Sequence, residues 1–286
     1  MATPRPAPAS PSTSGHAFSP RALLEFYAAK FRTEIAVQFA YRGGIAIWLL
    51  GLVMAPLISL VVWTTVAREN GGSAGGFSAG EYAAYFLAVM LVNNLTFTWV
   101  MYEMEWRVKN GLFSPMLLRP MHPIHNDVVQ NLTFKLLTLV ALLPIAAALA
   151  LAFDAEFETG AWDVLAFGPV IIGAMALRFL CEWTIGLAAF WITRTSTLNT
   201  LYGTVVAFLA GLIAPLSLFP EPVRIAAAIL PFRWMVAFPA NVLLGRVSGA
   251  GLLIGIGVQL VWLAIAFAAM RWTWRRGASR YSAVGA

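Results

Sequence analysis

Long uncharged stretches dominate the pattern of hydrophobic and polar positions along the chain. Five runs without a charged residue, of 25, 21, 18, 26 and 24 residues, are Gly43–Ala67, Tyr82–Tyr102, Leu136–Phe153, Thr195–Pro220 and Val247–Met270. A helix needs about 20 apolar residues to cross the hydrocarbon core of a bilayer. A sixth run begins at Val164 and ends near Ile192, interrupted by Arg178 and Glu182. The pattern predicts six transmembrane helices, because no run alternates like a barrel strand.

Composition supports a lipid environment. Hydrophobic residues make up 60% of the 286 residues and charged residues only 11%, against about 25% charged in soluble domains. The single cysteine, Cys181, lies in an apolar stretch, which excludes a disulfide framework and a cysteine-based zinc site. The expected fold class is an all-α membrane protein with six transmembrane helices, an N-terminal interfacial helix and an outer re-entrant hairpin.

The basic residues indicate the orientation of the chain. A net charge of +6 could suggest nucleic-acid binding, but basic residues also collect on the cytoplasmic side of membrane proteins. With six spans, 14 of the 19 Lys and Arg residues lie on one side, four on the other and Arg178 within a span. We therefore predict a multi-pass inner-membrane protein with both termini in the cytoplasm.

The N-terminal 42 residues contain no predicted span. The first part is rich in Pro, Ser and Ala without an apolar core, so we expect a disordered cytoplasmic tail and no signal peptide. The second part places Tyr27, Phe31 and Ile35 on one arc of a helix, opposite Lys30 and Glu34, which favours an amphipathic helix in the interface. This helix could simply anchor the chain or also touch a cytoplasmic partner. The expected divisions are a tail (1–19), an interfacial helix (20–42), a transmembrane domain (43–275) and a basic cytoplasmic tail (276–286).

The most polar internal segment, residues 103–127, lies between the second and third predicted spans. Gly111 can end the inward extension of the second span, and Pro120 can stop a short helix that follows. Ser114 as N-cap and Pro115 as first helical residue suit the start of that helix. It could dock a soluble subunit or serve only as a connector. The docking candidates are Arg107, Lys109, Gly111, Leu112, Phe113, Ser114, Pro115, Leu117, Leu118 and Arg119.

A second irregular segment, residues 214–245, precedes the last predicted span. Prolines divide it into two apolar pieces that are too short to cross a membrane. Irregular backbone at membrane depth requires protein or a water-filled cavity beside it, so we predict a re-entrant hairpin on the outer side. It could line an exit route or plug the outer leaflet. The gate candidates are Pro220, Pro222, Pro231, Phe232, Arg233 and Pro239.

Polar side chains inside the predicted spans include Arg178, Glu182, Asn93 and Asn94. Arg178 and Glu182 are one helical turn apart and can form an ion pair. Intramembrane charges normally face the protein interior or a pathway, so this pair could be structural or could couple to substrate or protons. Asn93 and Asn94 pose the same choice, with hydrogen bonding between helices favoured.

The sequence offers little catalytic chemistry. It contains no GxxxxGK[ST] phosphate-binding loop, so we expect no ATP site and no cofactor in this chain. His122, His125 and Asp127 could be drawn as a metal site, but Pro123 breaks the helical register that would align the histidines. We therefore predict no metal site and no enzymatic activity.

The order of these segments resembles the ABC-2 type permease superfamily, in particular its bacterial, drug-export-like branch. The resemblance covers about residues 20–275. It rests on YRGG, VVWTTV, GxxGGFSAGEYAAYFL, VKNGLFSPMLLRPMHP and LFPEPVRIAAAILPFRWMVAFPANVLLG.

The resemblance implies an exporter of two permease subunits and two ATPase subunits, in which the second permease is the same or a related chain. Gly111–Pro120 would be the coupling helix in a groove of the ATPase, residues 21–42 would add to that contact, and residues 214–245 would form the outer gate. The chain departs from glycan-exporting members in having no sugar-binding domain, which leaves the substrate open.

Two other functions are compatible with the residues alone. An ion-coupled secondary transporter would use Arg178 and Glu182, although no repeat relates the first three spans to the last three. A membrane-bound enzyme would have only the cluster of His122, His125 and Asp127 to use.

Overall fold

The computed structural model describes residues 20–40, 42–192, 194–247 and 249–280, with the side chains of residues 42, 45 and 46 left out. The predicted tail at residues 1–19 and most of the predicted C-terminal tail, residues 281–286, lie outside the described residues. The described part of the chain is helical except for loops and one small hairpin of strands.

The helices follow the apolar runs closely. In chain order they are α1 (Pro20–Ala40), α2 (Arg42–Glu69), α3 (Ala79–Thr96), α4 (Val100–Lys109), α5 (Ser114–Leu117), α6 (Ile124–Ala152), α7 (Ala161–Gly186), α8 (Ser196–Leu209), α9 (Glu221–Ile229), α10 (Phe232–Met235), α11 (Ala237–Leu243) and α12 (Gly249–Ala278). Two 3-10 helices cover Leu187–Phe190 and Leu216–Leu218, and the antiparallel strands β1 (Ser73–Ala74) and β2 (Phe77–Ser78) join α2 to α3.

Within the described residues, five helical segments are long and apolar enough to cross a membrane. They are Ile47–Glu69, Ala79–Lys109, Ile124–Ala152, Ala161–Phe190 and Gly249–Ala278. These segments correspond to the first four and the last of the predicted spans, which confirms the all-α membrane class.

The predicted fifth span, Thr195–Pro220, is not among these five segments. Its helix α8 has 14 residues, or about 21 Å at 1.5 Å per residue, and ends where Gly211 takes a φ of +80°. A left-handed φ favours glycine and commonly terminates a helix. The residues that flank α8 contact opposite ends of the α3–α4 arm, the segment formed by α3, the break after Thr96 and α4. Thr195 donates to Glu105, and Tyr85 donates to the Gly211 carbonyl.

Helix α3 is the centre of the bundle. Thirteen of its 18 residues are buried, and α2, α6, α7 and α11 surround it. Its start is fixed by a capping box, in which Ser78 accepts from the Glu81 amide and Glu81 accepts from the Ser78 amide. The outward faces of α2, α6 and α12 expose many large apolar side chains, as expected for surfaces that contact lipid.

Helix α1 packs along α6, and Tyr27, Phe31 and Ile35 of the predicted apolar arc are partly buried. Glu34, assigned to the polar arc, is among the buried residues and forms an ion pair with Lys30 at 2.6 Å. Leu24 and Phe39, two further apolar residues of α1, are exposed. Glu103 and Arg107 of α4 interact electrostatically with Glu34, and sequence periodicity within α1 cannot reveal these neighbours.

Candidate functional site

A break in the second membrane segment organises the polar interior. Helix α3 ends at Thr96 and α4 begins at Val100, which leaves Phe97, Thr98 and Trp99 outside both helices. A break of this kind exposes backbone groups that lipid cannot satisfy. The Thr98 amide donates to Glu182 at 3.2 Å, and the Phe97 carbonyl accepts from Lys135 Nζ at 2.5 Å. Partners from α6 and α7 therefore satisfy groups that the helix ends release.

Glu182 and Arg178 on α7 are the main partners of this break. Arg178 Nε donates to Glu182 Oε1 at 2.7 Å, and both side chains are at most 5% exposed. Glu182 Oε2 also accepts from the Thr98 hydroxyl at 2.7 Å. Arg178 donates further to Asn93 and to the Thr96 hydroxyl. The predicted ion pair forms, and its remaining hydrogen-bonding groups hold the broken segment.

Lys135, which directly precedes the uncharged run Leu136–Phe153, is buried in the structure. Helix α6 begins at Ile124, so Lys135 lies about three turns inside the helix and is 3% exposed. Asn94 is also buried and donates to the Thr138 hydroxyl at 3.1 Å. This bond between α3 and α6 is the interhelical role that the sequence favoured for Asn94.

A second polar network lies below the break, where α4 meets α6. Arg107 donates to Asp127 at 2.5 Å and to Glu103 at 2.6 Å. Asp127 also accepts from the Trp183 indole at 2.9 Å. Gln130 donates to Glu103, which closes the network. Arg107 is therefore internal in this conformation and is not available as a surface docking charge.

A cavity of about 260 Å³ lies between the two networks, bounded by α1, α2, α4, α6 and the break. Aromatic side chains line much of it: Trp48, Phe97, Trp99 and Phe134. The polar part of its lining includes Glu103 and Gln130. The Trp48 and Trp99 rings meet edge to face, with 4.6 Å between their centroids. The cavity thus combines aromatic surface with a carboxylate, at the level where α2 begins.

The loop between α4 and α6 has a buried base. Phe113 is fully buried and contacts the rings of Phe190 and Trp274. Gly111 takes a φ of +68°, which lets the chain turn sharply after α4. Helix α5 begins at Ser114 with Phe113 in the N-cap position, so the predicted cap at Ser114 is displaced by one residue. Base and turn fix the direction in which the loop projects.

The tip of the loop is apolar and basic. Leu118 is 87% exposed and Leu112 is 44% exposed. Pro115 and Arg119 are exposed beside them, whereas Leu117 is partly buried against the cluster that contains Phe113, Phe190 and Trp274. Lys109 is also exposed at the end of α4, where it pairs with Glu105. The predicted docking residues therefore divide into an internal group and a surface group.

The three residues drawn as a metal site have separate partners. His122 lies against the Trp274 ring at 4.4 Å between centroids, and His125 hydrogen-bonds the Tyr27 hydroxyl at 2.9 Å. Asp127 belongs to the Arg107 network. No group of three or more His, Cys, Asp or Glu side chains in the described ranges could hold a metal ion.

Burial also shifts two titrations near this loop. It lowers the pKa of His122, with a further lowering by His125 and an opposing effect of Asp127. Burial raises the pKa of the Tyr27 phenol on α1. His122 is therefore held in its neutral form more strongly than a histidine in solution.

The segment before α12 forms α9, α10 and α11 and packs into the bundle. Pro220 and Pro222 begin α9, and Pro231 precedes α10. Pro239 is buried within α11, which packs on α7 and α3. Gln259 of α12 donates to the carbonyls of both Val170 and Trp234, which fixes α10 between α7 and α12. Arg233 lies 5.4 Å from the centroid of the neighbouring Trp234 ring.

Sequence reasoning missed the residues that close the networks. Thr98 and Lys135 carry no motif, and the segment around the break contains neither Gly nor Pro. The sequence groups Asp127 with His122 and His125 and gives no sign of its buried partner Arg107.

The fold and its polar interior define a class: a multi-pass α-helical membrane protein with a broken inner span and a projecting loop. Residues 53–285 match the model of the family described as ABC-2 family transporter protein. The chain therefore belongs to the ABC-2 transporter family and is the permease type of membrane protein, involved in transport. Comparisons with curated proteins and with solved structures find no match.

Proposed function

We propose that this chain is the permease subunit of an ATP-binding cassette exporter and that separate ATPase chains drive it. The family match carries this proposal, because ABC-2 permeases work with ABC ATPases in general. ATP and Mg²⁺ would be bound by those partner chains. A second permease, of the same or a related sequence, would complete the transport path.

The loop tip supports docking of an ATPase. Leu112, Pro115 and Leu118 offer apolar contact area beside Arg119 and Lys109. Interfaces of this kind depend on a few well-placed side chains presented by a rigid base. Phe113 in its aromatic cluster and Arg107 in its ion-pair network supply that base, so a force on the tip would reach α4 directly.

The proposal puts this loop and both termini in the cytoplasm. It also makes α8 and the residues up to Gly211 the fifth crossing, which returns the chain to the outer side. The contacts of Thr195 and Gly211 at opposite ends of the α3–α4 arm support this assignment. The α9–α11 segment would then form the outer gate.

The internal polar residues favour ATP-driven rather than ion-coupled transport. Arg178 and Glu182 are committed to each other and to the break in the second span. A proton-coupling pair would need a titrating group with access to water, and both side chains are almost fully buried. We assign this pair a structural role.

The test is recovery of the ATPase with the permease. Affinity-tagged chain is purified from native membranes, and the ATPase is identified in the eluate by mass spectrometry through its phosphate-binding-loop peptide. Leu118→Glu places a charge at the centre of the proposed contact and is expected to lower recovery at least tenfold, or about 1.4 kcal/mol.

Ile225→Glu is the matched control. Ile225 is 52% exposed on α9, far along the chain from the loop, and its variant should recover the ATPase as wild type does. Both variants must elute as single species in size-exclusion chromatography. Equal recovery with Leu118→Glu and wild type would contradict docking at this tip, and absence of an ATPase from every eluate would contradict the proposed function.

A further inference from the structure

We propose that the cavity beside the helix break binds a small aromatic organic cation. That this cation is cargo rests on the exporter function proposed above, whereas binding itself does not require an ATPase. The proposal rests on one observation: four aromatic rings and one accessible carboxylate line the same cavity.

The aromatic lining suits a cation with an apolar surface. Trp99 packs against Trp48 at 4.6 Å and against Phe97 at 5.9 Å, measured between ring centroids. The face of an aromatic ring attracts a cation electrostatically, most strongly for Trp and when water is excluded. Trp48 and Trp99 remain 39% and 42% exposed, so part of their surface is open to a ligand.

The charges on the cavity wall have one sign. The two charged residues in its lining are Glu103 and Asp127, and no cationic side chain shares that lining among those described. Asp127 is almost fully buried by its own partners, while the Glu103 side chain is 27% exposed. Glu103 is thus the carboxylate that a ligand can reach.

The positive side chains near these carboxylates are not part of the described cavity lining. Arg107 pairs with both carboxylates but does not line the cavity, and Lys30 pairs with Glu34. Arg178 and Lys135 belong to the network of the break, together with Glu182. Arg178 also lies 5.4 Å from the centroid of the Phe97 ring, so Trp48, Trp99 and Phe134 are the rings that remain for a ligand cation. No positive side chain shares the described lining with them.

The size of the cavity limits the ligand. A volume of about 260 Å³ is slightly below the range of about 300–1,000 Å³ typical of drug-sized ligands. The cavity therefore suits one aromatic ring with a compact ammonium group. It lies at the level where α1 and α2 meet the inner part of the α3–α4 arm, so access from the inner leaflet or the adjacent interface is short.

Benzyltrimethylammonium is a suitable probe, because neopentylbenzene has the same shape without the charge. The full chain is purified in dodecyl maltoside, which carries neither charge nor a choline headgroup. Equilibrium dialysis with radiolabelled benzyltrimethylammonium gives the affinity, and neopentylbenzene is the competitor. We expect saturable binding of the cation and at least a tenfold higher concentration of the neutral compound for equal displacement.

Variants on α4 provide matched pairs. Glu103→Gln should weaken cation binding at least tenfold. Glu105→Gln should not, because Glu105 lies two residues away, pairs with Lys109 and Thr195, and does not line the cavity. Trp99→Leu should weaken binding severalfold, whereas Trp99→Phe, which keeps a ring and guards against misfolding, should stay within about threefold of wild type.

Three results would overturn the proposal. They are absence of saturable binding to the wild-type chain, equal competition by neopentylbenzene, and unchanged affinity in a folded Glu103→Gln variant. Displacement of the probe by an equal concentration of phosphatidylcholine would assign the cavity to a lipid headgroup instead. Because no ATPase is present, these results are independent of the docking experiment, which tests the exporter function separately.

Discussion

Removing the charge of Glu182 tests whether the break in the second span depends on that carboxylate. Glu182→Gln keeps the shape of the side chain and one acceptor oxygen. It leaves Arg178 without its ion-pair partner and removes the carboxylate from the network of the break, to which Lys135 also belongs. Loss of one partner of a buried ion pair costs about 3–5 kcal/mol. Because Gln still accepts one hydrogen bond, we expect a loss near the lower end, about 3 kcal/mol.

Thermal unfolding in detergent, followed by loss of the monodisperse size-exclusion peak, measures this loss. For a chain of this size, about 1 kcal/mol corresponds to roughly 2–4 °C, so Tm should fall by about 6–12 °C. Glu158→Gln removes an exposed carboxylate in the loop before α7 and should change stability by less than about 0.5 kcal/mol.

A double-variant cycle connects the loss to the break itself. Thr98→Val removes the hydroxyl that donates to Glu182 at 2.7 Å, at a cost of about 1.5–3 kcal/mol for a hydrogen bond to a charged group. The combined variant should be less destabilised than the sum of the two, with a coupling of about 1–3 kcal/mol. Additive effects, or a Tm of Glu182→Gln equal to that of Glu158→Gln, would refute the assigned role.

Two further predictions concern packing and pH. An added Cβ at Gly255 would lie 2.2 Å from the Phe238 ring, whereas Gly257 has open space. Gly255→Ala should therefore lower the free energy of unfolding by about 1–3 kcal/mol, and Gly257→Ala should melt no lower than wild type. Equal melting temperatures of the two variants would exclude close packing of α12 on α11. Burial lowers the pKa of His122 below its ordinary value, so the unfolded chain binds the proton more tightly than the folded chain. The contribution of neutral His122 to stability is therefore full above about pH 6.5 and is lost as the pH falls below that value. His122→Phe keeps a ring against Trp274 and should flatten the fall in Tm between about pH 7 and 5, and an unchanged pH profile would contradict this role.

The sequence alone determined the class of the protein and much of its helical layout. Because a bilayer excludes charge, the lengths of uncharged runs located four of the five long spans. The remaining one was predicted although Arg178 and Glu182 interrupt it, and the one-turn spacing of these two residues predicted their ion pair. Turn chemistry at Gly111 and Pro115 likewise placed the start of the short helix α5 within one residue. Each of these inferences depends only on residues close together in the chain.

Only the tertiary structure decided where the polar interior lies. The break at Phe97–Trp99 has no Gly or Pro to mark it, because its free backbone groups are satisfied by Glu182 and Lys135, 84 and 38 positions away. Arg107 and Lys135 lie outside the uncharged runs of the sequence, yet the packing of α6 places both inside the bundle. A residue's exposure and partners depend on which helices pack beside it, and a pattern of neighbouring residues carries no record of that packing.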